Sequence, residues 1–247
     1  MKIDLTGKKA LVGGSSKGIG LGFASELANS GASVCLMARN ESRLKEIVAQ
    51  LPSPNNHSYL VVDFSKFEDY KIKIEEYVKN NQVDILINNT QGPPAGNSLS
   101  KNIDSYQEAF DLLFKSVVHT TSLVIPGMRK NKWGRIINLG GLSAHIGAIG
   151  RSHVVTSKLA VVGFTRALAT EYAGTGITVN CVVPGLIDTI RGKSAGQGLV
   201  HPTHSDPPIG RKGKPIEVAK MIRNLCDENS DFINGQTIHV NGGSFFC

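Results

Sequence analysis

Short apolar runs recur at Ala10–Val12, Val34–Met37, Leu60–Val62, Ile85–Ile87, Ile136–Leu139, Val179–Val183 and Thr237–Val240, and all but the last lead into a glycine-rich or helix-compatible stretch. Near-continuous apolar strands alternating with helices are what a parallel sheet requires, because both of its faces are buried. The pattern predicts an α/β fold: a doubly wound, mostly parallel seven-stranded sheet with helices on both faces. Two longer segments predict helices over Ser105–Arg129, broken near Pro126, and over Ser152–Ala173. In the second, Val155, Leu159, Val162, Arg166 and Ala169 recur at spacings of three and four, and Val154, Lys158, Val161 and Thr165 repeat this on a neighbouring face. A helix apolar on two faces needs two covers. The sheet and a second subunit are both expected against it, which predicts a homodimer or homotetramer.

No internal repeat, low-complexity tract or linker divides the chain, and 247 residues with 40% hydrophobic content suit one core, so residues 1–247 are read as one domain. The longest irregular stretch, about 190–215, is rich in Gly, Pro and Ser; that length suits a mobile substrate lid. No apolar run approaches the roughly 18 to 20 residues of a membrane span, and Asp4 stands where a secretory apolar segment would begin. A cytoplasmic protein without membrane contact is expected. Cys35, Cys181, Cys226 and Cys247 show no C-x-x-C pair and no histidine at ligand spacing, so neither a zinc site nor a disulfide framework is signalled and buried thiols are expected. The net charge of +7 favours anionic ligands, yet the basic residues are spread along the chain without interleaved aromatics, so nucleic acid is not expected as a partner.

The first strand runs directly into Gly13-Gly14-Ser15-Ser16-Lys17-Gly18-Ile19-Gly20, and Phe23, Leu27 and Ala28 continue at helical spacing. A strand, a glycine turn and a helix in that order bring backbone N–H groups and a positive helix end against a pyrophosphate. Further along stand Asp63 after the third strand, Asn88-Asn89 after the fourth, Gly134-Arg135-Ile136-Ile137-Asn138 in the fifth and Asn180-Cys181-Val182-Val183-Pro184-Gly185 in the sixth. Gly235 to Gly243 spans the last. With these motifs the chain resembles the short-chain dehydrogenases/reductases over nearly its whole length, which implies a Rossmann-type fold and a nicotinamide cofactor.

The resemblance implies that Gly14, Ser16, Gly18, Ile19 and Gly20 hold the pyrophosphate. It assigns Asp63 and Phe64 to the adenine, Asn89 and Lys158 to the ribose region, and Pro184, Gly185, Ile187 and Thr189 to the nicotinamide carboxamide. An NAD enzyme places a carboxylate after the second strand for the ribose 2′-hydroxyl, and that carboxylate would repel a 2′-phosphate. Here Ala38 is followed by Arg39, with Lys17 in the glycine turn. Two cations and no carboxylate favour NADP(H); solvated surface cations are the alternative.

Reduction of a carbonyl leaves an alkoxide, so a proton donor must lie within hydrogen-bond reach. In the family a tyrosine donates, a lysine four residues later tunes it, a serine polarises the carbonyl and an asparagine holds a relay water. Counting without gaps, these positions are Val154, Lys158, Gly141 and Leu113. Only Lys158 matches. His153, beside the vacant tyrosine position, and Ser143, two residues beyond Gly141, are the candidate substitutes; His145 has less to recommend it. The loop Asn89-Thr90-Gln91-Gly92-Pro93-Pro94 also departs from the family's Asn-Ala-Gly.

Two functions are compatible with these residues. One is an NADP(H)-dependent oxidoreductase acting on a small carbonyl or hydroxy compound through an atypical proton donor. Basic residues of the lid segment, among them Arg191, Lys193, Arg211, Lys212 and Lys214, allow an anionic or carrier-bound substrate like that of 3-oxoacyl-acyl-carrier-protein reductases. The other is a catalytically lapsed NADPH-binding regulator or scaffold.

Overall fold

The computed structural model describes residues 3–93, 103–189 and 206–246. Among these residues seven strands form one sheet, β1 (Lys9–Gly13), β2 (Ser33–Ala38), β3 (Ser58–Val61), β4 (Ile85–Asn88), β5 (Gly134–Leu139), β6 (Ile177–Pro184) and β7 (Thr237–Val240). All pairs are parallel, in the order β3-β2-β1-β4-β5-β6-β7. The order reverses between β1 and β4, so the chain leaves those two strands in opposite directions and opens a crevice at their carboxyl ends.

Strand alternation assigns each side chain to a layer. Ala10 and Val12 of β1, Val34 and Leu36 of β2 and Ile85 and Ile87 of β4 pack with Phe23 and Leu27 of α1 (Gly18–Asn29), Leu44 and Ile47 of α2 (Glu41–Gln50), and Val218 and Ile222 of α8 (Pro215–Leu225). The intervening Leu11, Met37, Leu86 and Ile136 pack with Tyr70 and Ile74 of α3 (Phe67–Asn80), Val124 and Met128 of α5 (Ser116–Asn131), and Leu168 of α7 (Ser152–Glu171). Burying both faces of the five inner strands explains why their runs read as continuous rather than alternating.

The helix expected over Ser105–Arg129 is interrupted at a different place. α4 (Ile103–Phe110) passes through a π-helical turn at Asp111–Lys115 into α5, and Pro126 lies inside α5. Pro126 is exposed, so water can take the Ser122 carbonyl that the missing N–H leaves free. At the π turn the carbonyl of Leu112 accepts hydroxyl bonds from Ser116 (2.8 Å) and Thr90 (3.3 Å), which stabilises the irregular backbone. Of the stretch expected to form a lid, residues 190–205 lie outside the described residues, as do Pro94 and Cys247. Its described end is tied down, with Gly213 bridged to Ile187 and Arg211 forked onto Glu217 at 2.7 and 2.8 Å. No described helix is long and apolar enough to cross a membrane.

Candidate cofactor and catalytic site

The glycine turn is built to close tolerances. Gly14 and Gly18 have φ of 58° and 59°, a region that costs side-chain-bearing residues energy, and a Cβ on Gly20 would stand 2.2 Å from the Gly14 carbonyl oxygen. Buried Ser15 ties the turn to β2: its Oγ accepts the Met37 N–H at 3.0 Å, and its own N–H donates to the Met37 carbonyl. Asn89 at the end of β4 donates from Nδ2 to the Gly13 carbonyl at 3.0 Å, which spans the crevice. α1 starts at Gly18 with no side-chain cap and no acidic residue in its first turn, so its positive end faces outward beside Ser16, Lys17 and Ile19. These features fit a dinucleotide pyrophosphate.

Around the turn lie the other expected contacts. Asp63, half-buried after β3, accepts the Ser65 N–H and hydroxyl on one oxygen at 3.0 and 2.7 Å. Burial opposes its ionisation, but the Ser65 bonds together with nearby Arg39 and Lys66 outweigh this and hold the carboxyl below its usual range. Arg39 and Lys17 are exposed at this end, with Phe64 half-buried next to Asp63. Opposite, the segment after β6 is pinned by the Gly185 N–H to the Val240 carbonyl at 2.9 Å and by the Ile187 bridge. It brings Thr189 Cγ2 to within 3.4 Å of where a Cβ on Gly18 would stand, while Pro184 closes β6.

The second half of the site lies where β5 ends against α7. Lys158 is buried and donates from Nζ to the Leu139 carbonyl at 2.6 Å. Burial pulls its ammonium down to about 8, with the Cys181 sulfur opposing, while burial pushes the Cys181 thiol up to about 11. One helical turn before Lys158, Val154 is buried, and a Cβ on Gly92 would stand 3.5 Å from both Val154 methyls and from Leu113 Cδ1. Val154, Leu113 and Gly92 thus close into an apolar contact. Ser143, the first residue of the short α6 (Ser143–Ile146), turns its Oγ to 3.9 Å from the point that a Cβ on Gly141 would occupy.

Lys158, Ser143 and the glycine turn are therefore gathered at one end of the sheet. His153 is directed elsewhere: it is buried, and its ring meets Tyr106 of α4 edge-on at 6.0 Å. His145 lies against His239 of β7 at 4.5 Å and Phe245 at 5.5 Å, and burial, then Arg166, lowers its pKa. The sequence places Ser15, Asn88, Asn138 and Thr165 in their motifs and helix stripe but does not show the buried bonds that they make. The signal available was an asparagine inside an otherwise apolar strand, because a buried amide must find partners.

Comparison with known proteins agrees with this construction. Residues 14–244 match the family described as Enoyl-(Acyl carrier protein) reductase. The chain is 35% identical over 246 residues to the 3-oxoacyl-[acyl-carrier-protein] reductase of Haemophilus influenzae and 34% identical over 246 residues to that of Chlamydia pneumoniae; each match covers 98% of this chain and 99% of the relative. Among solved structures, L-sorbose reductase from Gluconobacter frateurii, complexed with NADPH and L-sorbose, superposes with a TM-score of 0.87 at 27% identity over 98% of both chains. A short chain dehydrogenase/reductase family protein matches with a TM-score of 0.84, also at 27% identity over 98% of both. The glycine turn at the strand-order reversal, the lysine on α7 and these full-length matches lead to one assignment: the chain belongs to the short-chain dehydrogenase/reductase family of nicotinamide-dependent oxidoreductases.

Proposed function

We propose that the protein is an NADP(H)-dependent reductase of a small carbonyl compound, in which Lys158 supplies the proton that the family's tyrosine would give. The observation that carries this reading is the buried Lys158 ammonium at the mouth of the crevice, brought close to neutrality by desolvation. A general acid works best when its pKa lies near the working pH. Ser143 Oγ, turned back toward position 141, supports a role as the hydroxyl that polarises the carbonyl. His153, packed on Tyr106, receives no proton-transfer role here.

Bound NADPH would supply the hydride. Gly14, Ser16, Gly18, Ile19 and Gly20 would receive its pyrophosphate, Asp63 and Phe64 its adenine, and Lys17 and Arg39 its 2′-phosphate. Asn89 and Lys158 would hold the nicotinamide ribose, and Pro184, Gly185, Ile187 and Thr189 the carboxamide. Several relatives are named as 3-oxoacyl-[acyl-carrier-protein] reductases, which supports a carrier-bound 3-oxoacyl thioester as the substrate to try first. The described cysteines are free and buried, in keeping with a cytoplasmic site of action. A homodimer or homotetramer is supported by large apolar side chains left exposed on α4 and α7, Phe110 and Leu159.

The test is NADPH oxidation with a carbonyl panel that includes a 3-oxoacyl thioester, run on the parent and on Lys158→Ala. Substrate-dependent oxidation lost in the variant is expected; equal background rates in both reject the enzyme. One observation favours a second reading. The apolar contact of Val154, Leu113 and Gly92 occupies the space of the family's proton relay, as a lapsed NADPH-binding regulator would allow. That reading predicts tight NADPH binding without oxidation of the cofactor by any substrate, and a macromolecular partner in pull-down.

A further inference from the structure

We propose that the buried hydrogen bond from Asn138 to Thr165 is a positioning device for Lys158, setting the register in which α7 presents that side chain to the end of β5. The inference rests on Lys158 serving the cofactor as read above. Asn138 and Thr165 are fully buried, with Asn138 Nδ2 donating to Thr165 Oγ1 at 2.9 Å. Behind them Asn88 Nδ2 donates to Asn138 Oδ1 at 2.8 Å and to Thr121 Oγ1 at 3.2 Å. The ladder therefore runs from α5 through β4 and β5 to α7.

Its place on α7 gives it leverage. Thr165 lies seven residues, two helical turns, after Lys158, on the same stripe. Asn138 immediately precedes Leu139, whose carbonyl receives Lys158 Nζ. Two neighbouring residues of β5 thus grip two points on one face of α7. An amide bonded on both sides resists a slide of α7, because a slide would strand buried polar atoms at a cost of about 1–3 kcal/mol. Thr165 Oγ1 also donates to the Val161 carbonyl at 2.8 Å, so its hydroxyl is oriented with its lone pairs toward Asn138. Cys181 on β6 is the titratable neighbour of Lys158, and Arg166 of α7 acts on that thiol in turn.

The experiment follows NADPH binding by fluorescence between pH 6.5 and 10 (about the span over which a buried lysine discharges) in the parent, Thr165→Val, Thr165→Ser and Lys158→Met. Thr165→Val keeps the shape and removes the acceptor. With α7 free to shift, Lys158 regains water, so the pH midpoint should rise by about one unit and affinity at neutral pH should fall about tenfold. Thr165→Ser should behave as the parent. An unmoved midpoint and affinity in Thr165→Val, with only a lower melting temperature, would reduce the bond to a structural one and overturn the proposal. If Lys158→Met binds NADPH as the parent does, the role of Lys158 itself fails, and that outcome is distinct. Should Thr165→Val not fold, Thr121→Val, which removes the far end of the ladder, should move the midpoint the same way by less; no movement there overturns the proposal equally.

Discussion

The two halves of the crevice are made of different material. On the β1 side, the cradle is backbone: glycines, an open helix end and carbonyls held by Ser15 and Asn89. On the β5 side, the site is side chain: one lysine reaching a carbonyl, one serine turned back over a glycine, and valine and leucine meeting over Gly92. A backbone cradle tolerates little change, since a Cβ on Gly13, Gly14 or Gly20 would stand under 3 Å from a main-chain oxygen. A side-chain site can be rewritten residue by residue without loss of the fold.

The largest expected effect tests the cradle. Gly20→Ala puts a methyl 2.2 Å from a carbonyl oxygen, and NADPH affinity should fall at least about a hundredfold, near 3 kcal/mol, while circular dichroism stays native. Gly163→Ala in α7, where nothing lies within 4 Å, is the matched control and should bind as the parent does. Affinity retained in Gly20→Ala would mean that the cradle is not where the cofactor lies.

The β5 side is tested through the charge on Lys158. The folded state holds this ammonium near 8, below a free lysine at about 10.4, so the folded protein gains stability as pH rises from about 8 toward 10 and has none of that gain below 8. Urea unfolding at both ends of that window should show a gain of up to about 3 kcal/mol in the parent that Lys158→Met lacks. If Lys158 holds the ribose as proposed, cofactor affinity should run the opposite way and fall as pH passes 8, because its ammonium discharges. A parent affinity flat through pH 8 would remove Lys158 from the cofactor site.

Smallest is the effect at the exposed rim. Arg39→Ala should weaken NADPH by about fivefold to tenfold and leave NADH unchanged, since an exposed cation is worth about 1 kcal/mol. Equal losses for both cofactors would assign Arg39 to Asp63 and not to a 2′-phosphate.

Much of this was legible before any coordinates. All seven strands were marked by apolar runs, because a parallel sheet covered on both faces favours apolar residues throughout, and the glycine turn was marked because only glycine fits where backbone must meet backbone. The break in the α4–α5 segment was not legible. Proline predicts a kink from local sterics, but Pro126 faces water and is tolerated, whereas the π turn at Asp111–Lys115 depends on hydroxyls from Thr90 and Ser116. His153 was legible in part: one step along a helix turns its side chain by about 100° from Val154, but the ring that it meets, Tyr106 of α4, belongs to a different helix.

By itself, then, the sequence determined the strands, the order of its elements and the glycine turn, all of which follow from local periodicity and from the steric uniqueness of glycine. The tertiary structure alone decided which polar groups meet: Lys158 with Leu139, Asn138 with Asn88 and Thr165, Ser143 with the space over Gly141. Such contacts join residues that are distant in the chain, and their energies depend on burial, which no stretch of sequence contains until the layers have closed around it.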